Sequence, residues 1–365
     1  MIDSSFWAGR RVLITGHTGF KGSWLSLWLQ ELGAIVTGYA LEPITEQNLF
    51  DIAGVSSGMS SEIGDIRDFE QLTDTIRRAK PEIVMHLAAQ PLVRRSYSDP
   101  IETYSTNIIG LVNLFEAIRK IGGVAACVNV TSDKCYENRE WAYGYREIDP
   151  MGGYDPYSSS KGCAELITSA YRRSFFSDNR HAVSLALASA RAGNVIGGGD
   201  WSVDRLIPDI LRAITSNRPA LIRNPSAIRP WQHVLEPLSG YLILAERLLG
   251  PDASRFTEGW NFGPAPDDTR PVAWIAEKMT KRWGEGASWI KDIENGPHEA
   301  HFLSLDCLKS HRDLGWAPKW NIEVTIDKII DWHRQYASGM PMREYTLSQI
   351  AEYMAESDTT GAQMA

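Results

Sequence analysis

Short apolar runs alternate with stretches of helical apolar spacing through the first half of the chain. Arg11 to Thr15 is an apolar run closed by a glycine cluster, and apolar residues from Lys21 to Leu32 recur at helical spacing, which predicts strand, turn and helix. The same reading predicts strands over Ile35 to Tyr39, Glu82 to Leu87, Ala125 to Thr131 and His181 to Leu187. It predicts helices over Arg67 to Ala79, Tyr104 to Ile121 and Tyr157 to Ser174. Strands alternating with helices need right-handed crossovers, so the expected fold class is α/β, a Rossmann-type doubly wound parallel sheet.

From Gly193 onward glycine, proline and tryptophan are frequent, and helical stretches at Asp204 to Ser216, Leu238 to Leu249 and Val272 to Trp283 are spaced by long loops. We expect a dinucleotide-binding body over residues 1–190 and a smaller interleaved lobe over 191–350. Segments within 230–262 return to the body, with Gly259 to Phe262 as a further strand, and residues 356–365 form a flexible tail.

Charge narrows the partners. Lys plus Arg number 37 and Asp plus Glu 45, a formal net charge of −8, so no broad basic surface for nucleic acid is expected; a local basic pocket for a phosphorylated small molecule stays open. No apolar run reaches the roughly 18 residues a membrane helix needs. Met1 to Gly9 lacks the basic-then-apolar pattern of a signal peptide, and the expected address is the cytoplasm. The four cysteines show no C-x-x-C spacing, which argues against zinc and against a disulfide framework; no metal is expected.

Two motifs carry chemistry. Gly16-His-Thr-Gly19-Phe-Lys-Gly22 joins the first strand to the first helix, where bare backbone and a helix N-terminus suit a pyrophosphate. A carboxylate is expected at the end of the second strand to hold a ribose, but Tyr39-Ala40-Leu41 stands there with Glu42 just beyond, so NAD is favoured with a weaker hold than usual. Asp65 and Ile66 follow the third strand, placed to reach adenine. Tyr157-Ser-Ser-Ser-Lys161 sets a phenol and an ammonium one helical turn apart, and a nearby cation stabilises phenolate as a base toward an alcohol.

With Gly16-x-x-Gly19-x-x-Gly22, His86-Leu-Ala-Ala-Gln90, Asn107-x-x-Gly110, Ser132 and Tyr157-x-x-x-Lys161, the chain resembles the extended short-chain dehydrogenases/reductases. Within that superfamily, Gly16 to Trp24, Ala89 to Tyr97, Thr131-Ser-Asp-Lys-Cys-Tyr136 and His298-Glu-Ala-His301 look like the CDP-glucose 4,6-dehydratases. The resemblance implies NAD bound by Gly16, His17, Gly19, Phe20, Lys21 and Gly22, by Asp65 and Ile66, by Leu87, Ala88 and Ala89, and by Asn107, Tyr157 and Lys161. It implies a nucleotide sugar, CDP-glucose, touched by Gln90 and Arg95, with Asn194, Arg229 and Asn261 at its diphosphate. His298, Glu299 and His301 either read cytosine or are polar loop residues. It also implies a homodimer or a dimer of dimers, built through the helices at Tyr104 to Ile121 and Tyr157 to Ser174, and a place in making deoxysugars for bacterial surface polysaccharide such as O-antigen.

The implied reaction oxidises C4, eliminates water across C5 and C6 and returns the hydride to C6. Ser132, Asp133, Lys134, Tyr157 and Lys161 are its expected catalytic residues. The related dTDP-glucose dehydratases carry Thr-Asp-Glu where this chain has Ser132-Asp133-Lys134, with Asp as acid at C6 and Glu as base at C5. Here the acid is kept and the base changes sign. Lys134 either acts as base, which requires loss of its own proton at a cost of about 4 kcal/mol, or stays charged and stabilises an enolate. A 4-epimerase or 4-reductase of the same fold would not need Asp133 and Lys134, and a dinucleotide sensor would not need Tyr157 and Lys161.

Overall fold

In the computed structural model, which describes residues 2–176, 184–292 and 301–356, seven strands form one sheet. They are β1 (Arg11–Thr15), β2 (Ile35–Ala40), β3 (Ser60–Ile63), β4 (Ile83–His86), β5 (Ala126–Val130), β6 (Ala186–Arg191) and β7 (Gly259–Asn261). Their order is β7-β6-β5-β4-β1-β2-β3, and every neighbouring pair is parallel.

Successive residues of each central strand feed opposite cores, as a strand covered on both faces requires. Val12, Ile14, Ile83, Met85 and Val128 join one core with Trp24 and Trp28 of helix α1 (Phe20–Glu31). Leu13, Val84, Cys127 and Leu187 join the other, with α2 (Phe69–Ala79) and α3 (Gly110–Ile121). Each fully buried side chain such as Leu114 or Phe115 contributes about 1.5–3 kcal/mol.

Boundaries differ from the sequence reading where side chains, not periodicity, set them. The expected helix from Tyr104 begins earlier, at Pro100, because Asp99 caps it by accepting from the Glu102 N–H. It then widens into a π-helical stretch at Ser105–Ile109, around Asn107. The strand expected at His181 to Leu187 runs instead from Ala186 to Arg191, and residues 177–183 lie outside the described residues. The small Ala188 and Ala190 extend it by packing in the same core as helix α6 (Leu235–Leu248).

Helix α4 (Pro156–Tyr171) follows β5, and α5 (Leu206–Thr215) and α7 (Val272–Trp283) pack with α8 (Ile322–Ala337) in a separate lobe core. Helix α9 (Met342–Ala355) returns to the body, where Tyr353 meets Trp28 edge-on. Of the expected tail, residues 357–365 lie outside the described residues. No helix among the described residues is long and apolar enough to cross a membrane.

Candidate active site

The carboxyl ends of β1, β4, β5 and β6 open into one cavity of about 540 Å³ between body and lobe. In a doubly wound sheet this crevice is where ligands sit.

At one end lies the glycine turn. A side chain at Gly22 would collide with the Gly16 carbonyl and one at Gly16 with the Ala88 backbone, whereas a Cβ on Gly19 meets only the Gly16 carbonyl, at 3.4 Å. The turn is therefore closed behind and open in front, the shape a pyrophosphate needs, and Leu87, Ala88 and Ala89 line the facing wall. Glu42, read from the sequence as lying beyond the ribose position, borders the cavity beside Ala40 and Leu41. Asp65 borders it too, with its carboxylate held by the Arg67 guanidinium (2.9 and 3.0 Å), and Ile66 is wedged against Gly110.

Of the residues expected at the cofactor or sugar, three beside the glycine turn and the loop after β4 are placed elsewhere. His17 turns behind the glycine turn into the space Gly38 leaves, with Nε2 2.7 Å from Ser61 Oγ; burial pushes its pKa down to about 4. Asn107 accepts from the Gln90 N–H and donates to the Gln90 carbonyl and Ser160 Oγ. Gln90 donates to the Leu92 carbonyl and Thr103 Oγ1. Asn107 and Gln90 thus clamp the loop after β4 to the helices beside it and do not line the cavity.

The reacting end is built on β5 and α4. Asp155 accepts from the Ser158 N–H and Pro156 takes the first helical position, so α4 starts sharply and sets Tyr157 and Lys161 one turn apart at the cavity wall. After β5 the Ser132 hydroxyl donates to Asp133 Oδ1 (3.0 Å) and accepts from the Lys134 N–H (3.2 Å), which winds Asp133–Cys135 into a single tight turn. Asp133 is 1% exposed, and its Oδ2 has no partner among the described residues. A Cβ on Gly193 would strike that carboxylate, so Gly193 makes its room. Burial raises the Asp133 pKa, against the opposing charges of Lys134 and Arg229. Burial also pushes Tyr157 up to about 12, partly offset by a hydrogen bond with Ser132, and brings Lys161 down to about 8. Lys134 lines the same cavity.

Behind this wall a second buried acid is fully used. Glu165 accepts from Arg191 Nη2 (2.8 Å), Ser189 Oγ (2.6 Å) and Thr131 Oγ1. Burial alone would raise its pKa, but the Arg191 charge and these bonds bring it below the ordinary value. Arg191 also donates to the Tyr136 hydroxyl, which donates to Asn261 Oδ1 (2.7 Å). Asn261 spends its amide on the Tyr145 and Asp306 carbonyls, so this expected diphosphate ligand is an internal brace.

The lobe end is basic. Arg229 and Asn194 line it, Asn194 in the left-handed region at φ 46°. Arg95 faces outward in a bidentate pair with Glu102 (2.7 Å twice), while Arg94 lines the cavity with its Nε unpartnered. Arg205 and Arg223 line it as well, Arg223 3.0 Å from Asp204. Sequence reading missed these three; an arginine pair on a short helix shows which member faces inward only through its partner, here Glu102. His301 is exposed, donating its N–H to Glu140 and its carbonyl accepting from Arg229; His298 and Glu299 lie outside the described residues. Among the described residues, no group of three or more His, Cys, Asp or Glu side chains could hold a metal ion.

A doubly wound parallel sheet with a glycine turn, and with serine, tyrosine and lysine at one crevice, defines an extended short-chain dehydrogenase/reductase. More narrowly, the chain belongs to the GDP-mannose 4,6 dehydratase family, whose model matches residues 13–252. It is 58% identical, over 97% of its length and 99% of the relative's, to a CDP-glucose 4,6-dehydratase of Salmonella typhimurium. Solved structures share the fold. A UDP-glucose 4-epimerase from Thermotoga maritima with UDP-glucose matches with TM-score 0.77 at 20% identity, covering 89% of this chain and 99% of that one. A dTDP-glucose 4,6-dehydratase double mutant from Streptomyces venezuelae with NAD bound matches with TM-score 0.75 at 22% identity, covering 90% and 98%.

Proposed function

We propose that the chain is a CDP-glucose 4,6-dehydratase, converting CDP-glucose to CDP-4-dehydro-6-deoxyglucose and water with NAD as an internal hydride carrier. The observation that carries the reading is Asp133: a carboxyl oxygen without a partner among the described residues, buried where desolvation raises its pKa, in one cavity with Tyr157 and Lys161. Epimerisation needs the tyrosine and lysine; loss of water needs an acid as well. The 58% identity to the Salmonella typhimurium enzyme supports the choice of sugar nucleotide.

In this reading Gly16, Gly19 and Gly22 present backbone to the pyrophosphate, Glu42 reaches the adenosine ribose, and Arg94, Arg223, Arg229 and Asn194 take the sugar diphosphate, which suits charged, forked donors. The Lys161 ammonium stabilises the Tyr157 phenolate, and Tyr157 takes the proton of the 4-hydroxyl while Ser132 orients it. When bound, NAD supplies the hydride acceptor for C4 and the donor for C6, and its positive ring draws the phenol's pKa down. Asp133 gives its proton to the departing 6-hydroxyl. Lys134 takes the C5 proton or, kept charged, holds the enolate. The protein works in the cytoplasm as a homodimer or a dimer of dimers, an assembly supported by the exposed Ile101, Ile109 and Leu166 on the helices around α3 and α4.

Incubation with CDP-, dTDP-, GDP- and UDP-glucose plus NAD, followed by mass spectrometry, tests this. Water loss from CDP-glucose first, with deuterium from C4 recovered at C6 of the same molecule, is expected. No water loss from CDP-glucose, or label washed into free NADH, overturns it.

A further inference from the structure

The cations lining the cavity differ in what they face. At the reacting end they meet neutral groups: Lys21 donates to the Tyr241 hydroxyl of α6 (3.0 Å) and Lys161 to the Val130 carbonyl (3.5 Å). At the lobe end three of them meet carboxylates from the segment that leads into α5. Arg205 stands 3.4 Å from Asp200, and Asp204 Oδ1 takes two guanidinium groups at once, Arg223 Nη1 at 3.0 Å and Arg94 Nη1 at 3.5 Å. Arg94 belongs to the body, on the short helix Val93–Ser98 after β4, and Arg223 to the lobe, just after the strand Ala220–Ile222. One oxygen between two guanidinium groups has the place a phosphoryl oxygen takes between forked donors. The backbone holds Asp204 there in the left-handed region, at φ 58°, a conformation that costs most residues energy but suits Asp and Asn. The three side chains are 27–40% exposed, so their ion pairs are weak and exchangeable.

We propose that Asp204 is a built-in competitor for the diphosphate of the nucleotide sugar, an internal anion that holds Arg94 and Arg223 and gives them up when the diphosphate takes its place. This rests on the reading above in which these arginines take the diphosphate. A guanidinium nitrogen turned to Asp204 is not turned to a phosphoryl oxygen, and a carboxylate left beside a bound diphosphate repels it. Either way Asp204 lowers the affinity. A diphosphate, doubly charged and able to meet each fork with two oxygens, overcomes one half-exposed carboxylate, whereas a ligand without phosphate gains nothing from the exchange. The device raises the charge a ligand must bring. It also eases release, because the arginines pass back to Asp204 as the product leaves and never face one another without an anion between them.

The test is equilibrium binding of CDP and of cytidine to the intact, NAD-saturated protein by calorimetry. Asp204→Asn, which keeps the shape of the side chain and tolerates the left-handed backbone, should tighten CDP about fivefold and leave cytidine unchanged. With Arg223→Ala already in place the same change should tighten CDP less than about twofold, since the closer of the two contacts is gone. CDP binding unchanged or weakened by Asp204→Asn, CDP and cytidine tightened alike, or the full gain kept in the Arg223→Ala background overturns the proposal. If the variant does not fold, a crystal structure of the parent with CDP decides: Asp204 moved off both guanidinium groups supports the exchange, and Asp204 still bridging them beside the diphosphate overturns it. CDP binding unchanged by Arg94→Ala and by Arg223→Ala overturns the diphosphate reading itself.

Discussion

Asp133 and Glu165 are both buried acids flanking β5, and their surroundings push them opposite ways. Glu165 has three side-chain donors, one of them the Arg191 guanidinium, and its pKa is lowered; Asp133 has one side-chain donor and, among the described residues, an unpartnered oxygen, and its pKa is raised. Burial penalises charge at both sites. The Arg191 charge, with the fuller set of donors, is what holds Glu165 toward the ionised form that braces the fold, while burial pushes Asp133 toward the protonated form.

The largest effect that would break this contrast is on turnover. Asp133→Asn should slow loss of water by about a thousandfold while C4 oxidation survives, read as NADH absorbance without product. An acid that matters only for folding would leave turnover near the parent's. Glu165→Gln should instead act on stability, costing about 3 kcal/mol in denaturant unfolding by stranding the buried Arg191 charge. The two also differ with pH. The stabilisation from Glu165 is present above its unfolded pKa and lost as pH falls through its lowered folded value. That from Asp133 is full below its unfolded pKa and lost as pH rises through its raised one. Asp133→Asn should therefore melt about 2 °C above the parent at pH 8 and converge with it near pH 4.

Lys134→Met sharpens the division of labour beside Asp133. If Lys134 is the C5 base, hydride withdrawal continues and solvent exchange at C5 stops. Dehydration within about tenfold of the parent, a barrier change of about 1.4 kcal/mol, assigns it to charge stabilisation. The smallest effects compare neighbours. Arg94→Ala should raise the KM for the sugar nucleotide about tenfold, and Arg95→Ala, which only breaks an exposed pair, should change it less than about twofold.

The sheet was legible because strands covered on both faces and helices covered on one leave periodic signatures, as Leu13, Val84 and Leu187 do. The phenol and ammonium could be read together because their spacing along one helix is local; the acid was read only through the resemblance to the dehydratases. What escaped was long-range. Asn107, Gln90 and Asn261 were expected as ligands from the resemblance, and only the fold shows their amides spent on neighbouring backbone and hydroxyl groups. His17 and Lys21 sit four apart in one motif and point to opposite sides of it, which no one-dimensional pattern encodes.

The last strand of the sheet has a consequence for how such chains can be recombined. β7 arrives after the lobe has begun, lies against β6, and fixes the Asn261 brace to Tyr136. The lobe is thus threaded through the body and not appended to it. A crossover between two relatives at residue 190 would pair one parent's β6 with the other's β7 and mismatch the Arg191, Tyr136 and Asn261 chain in the interior. Exchange of the lobe between members of the family would have to replace two separate segments and spare the strand between them, which makes the lobe inherit as an inlay in its host sheet.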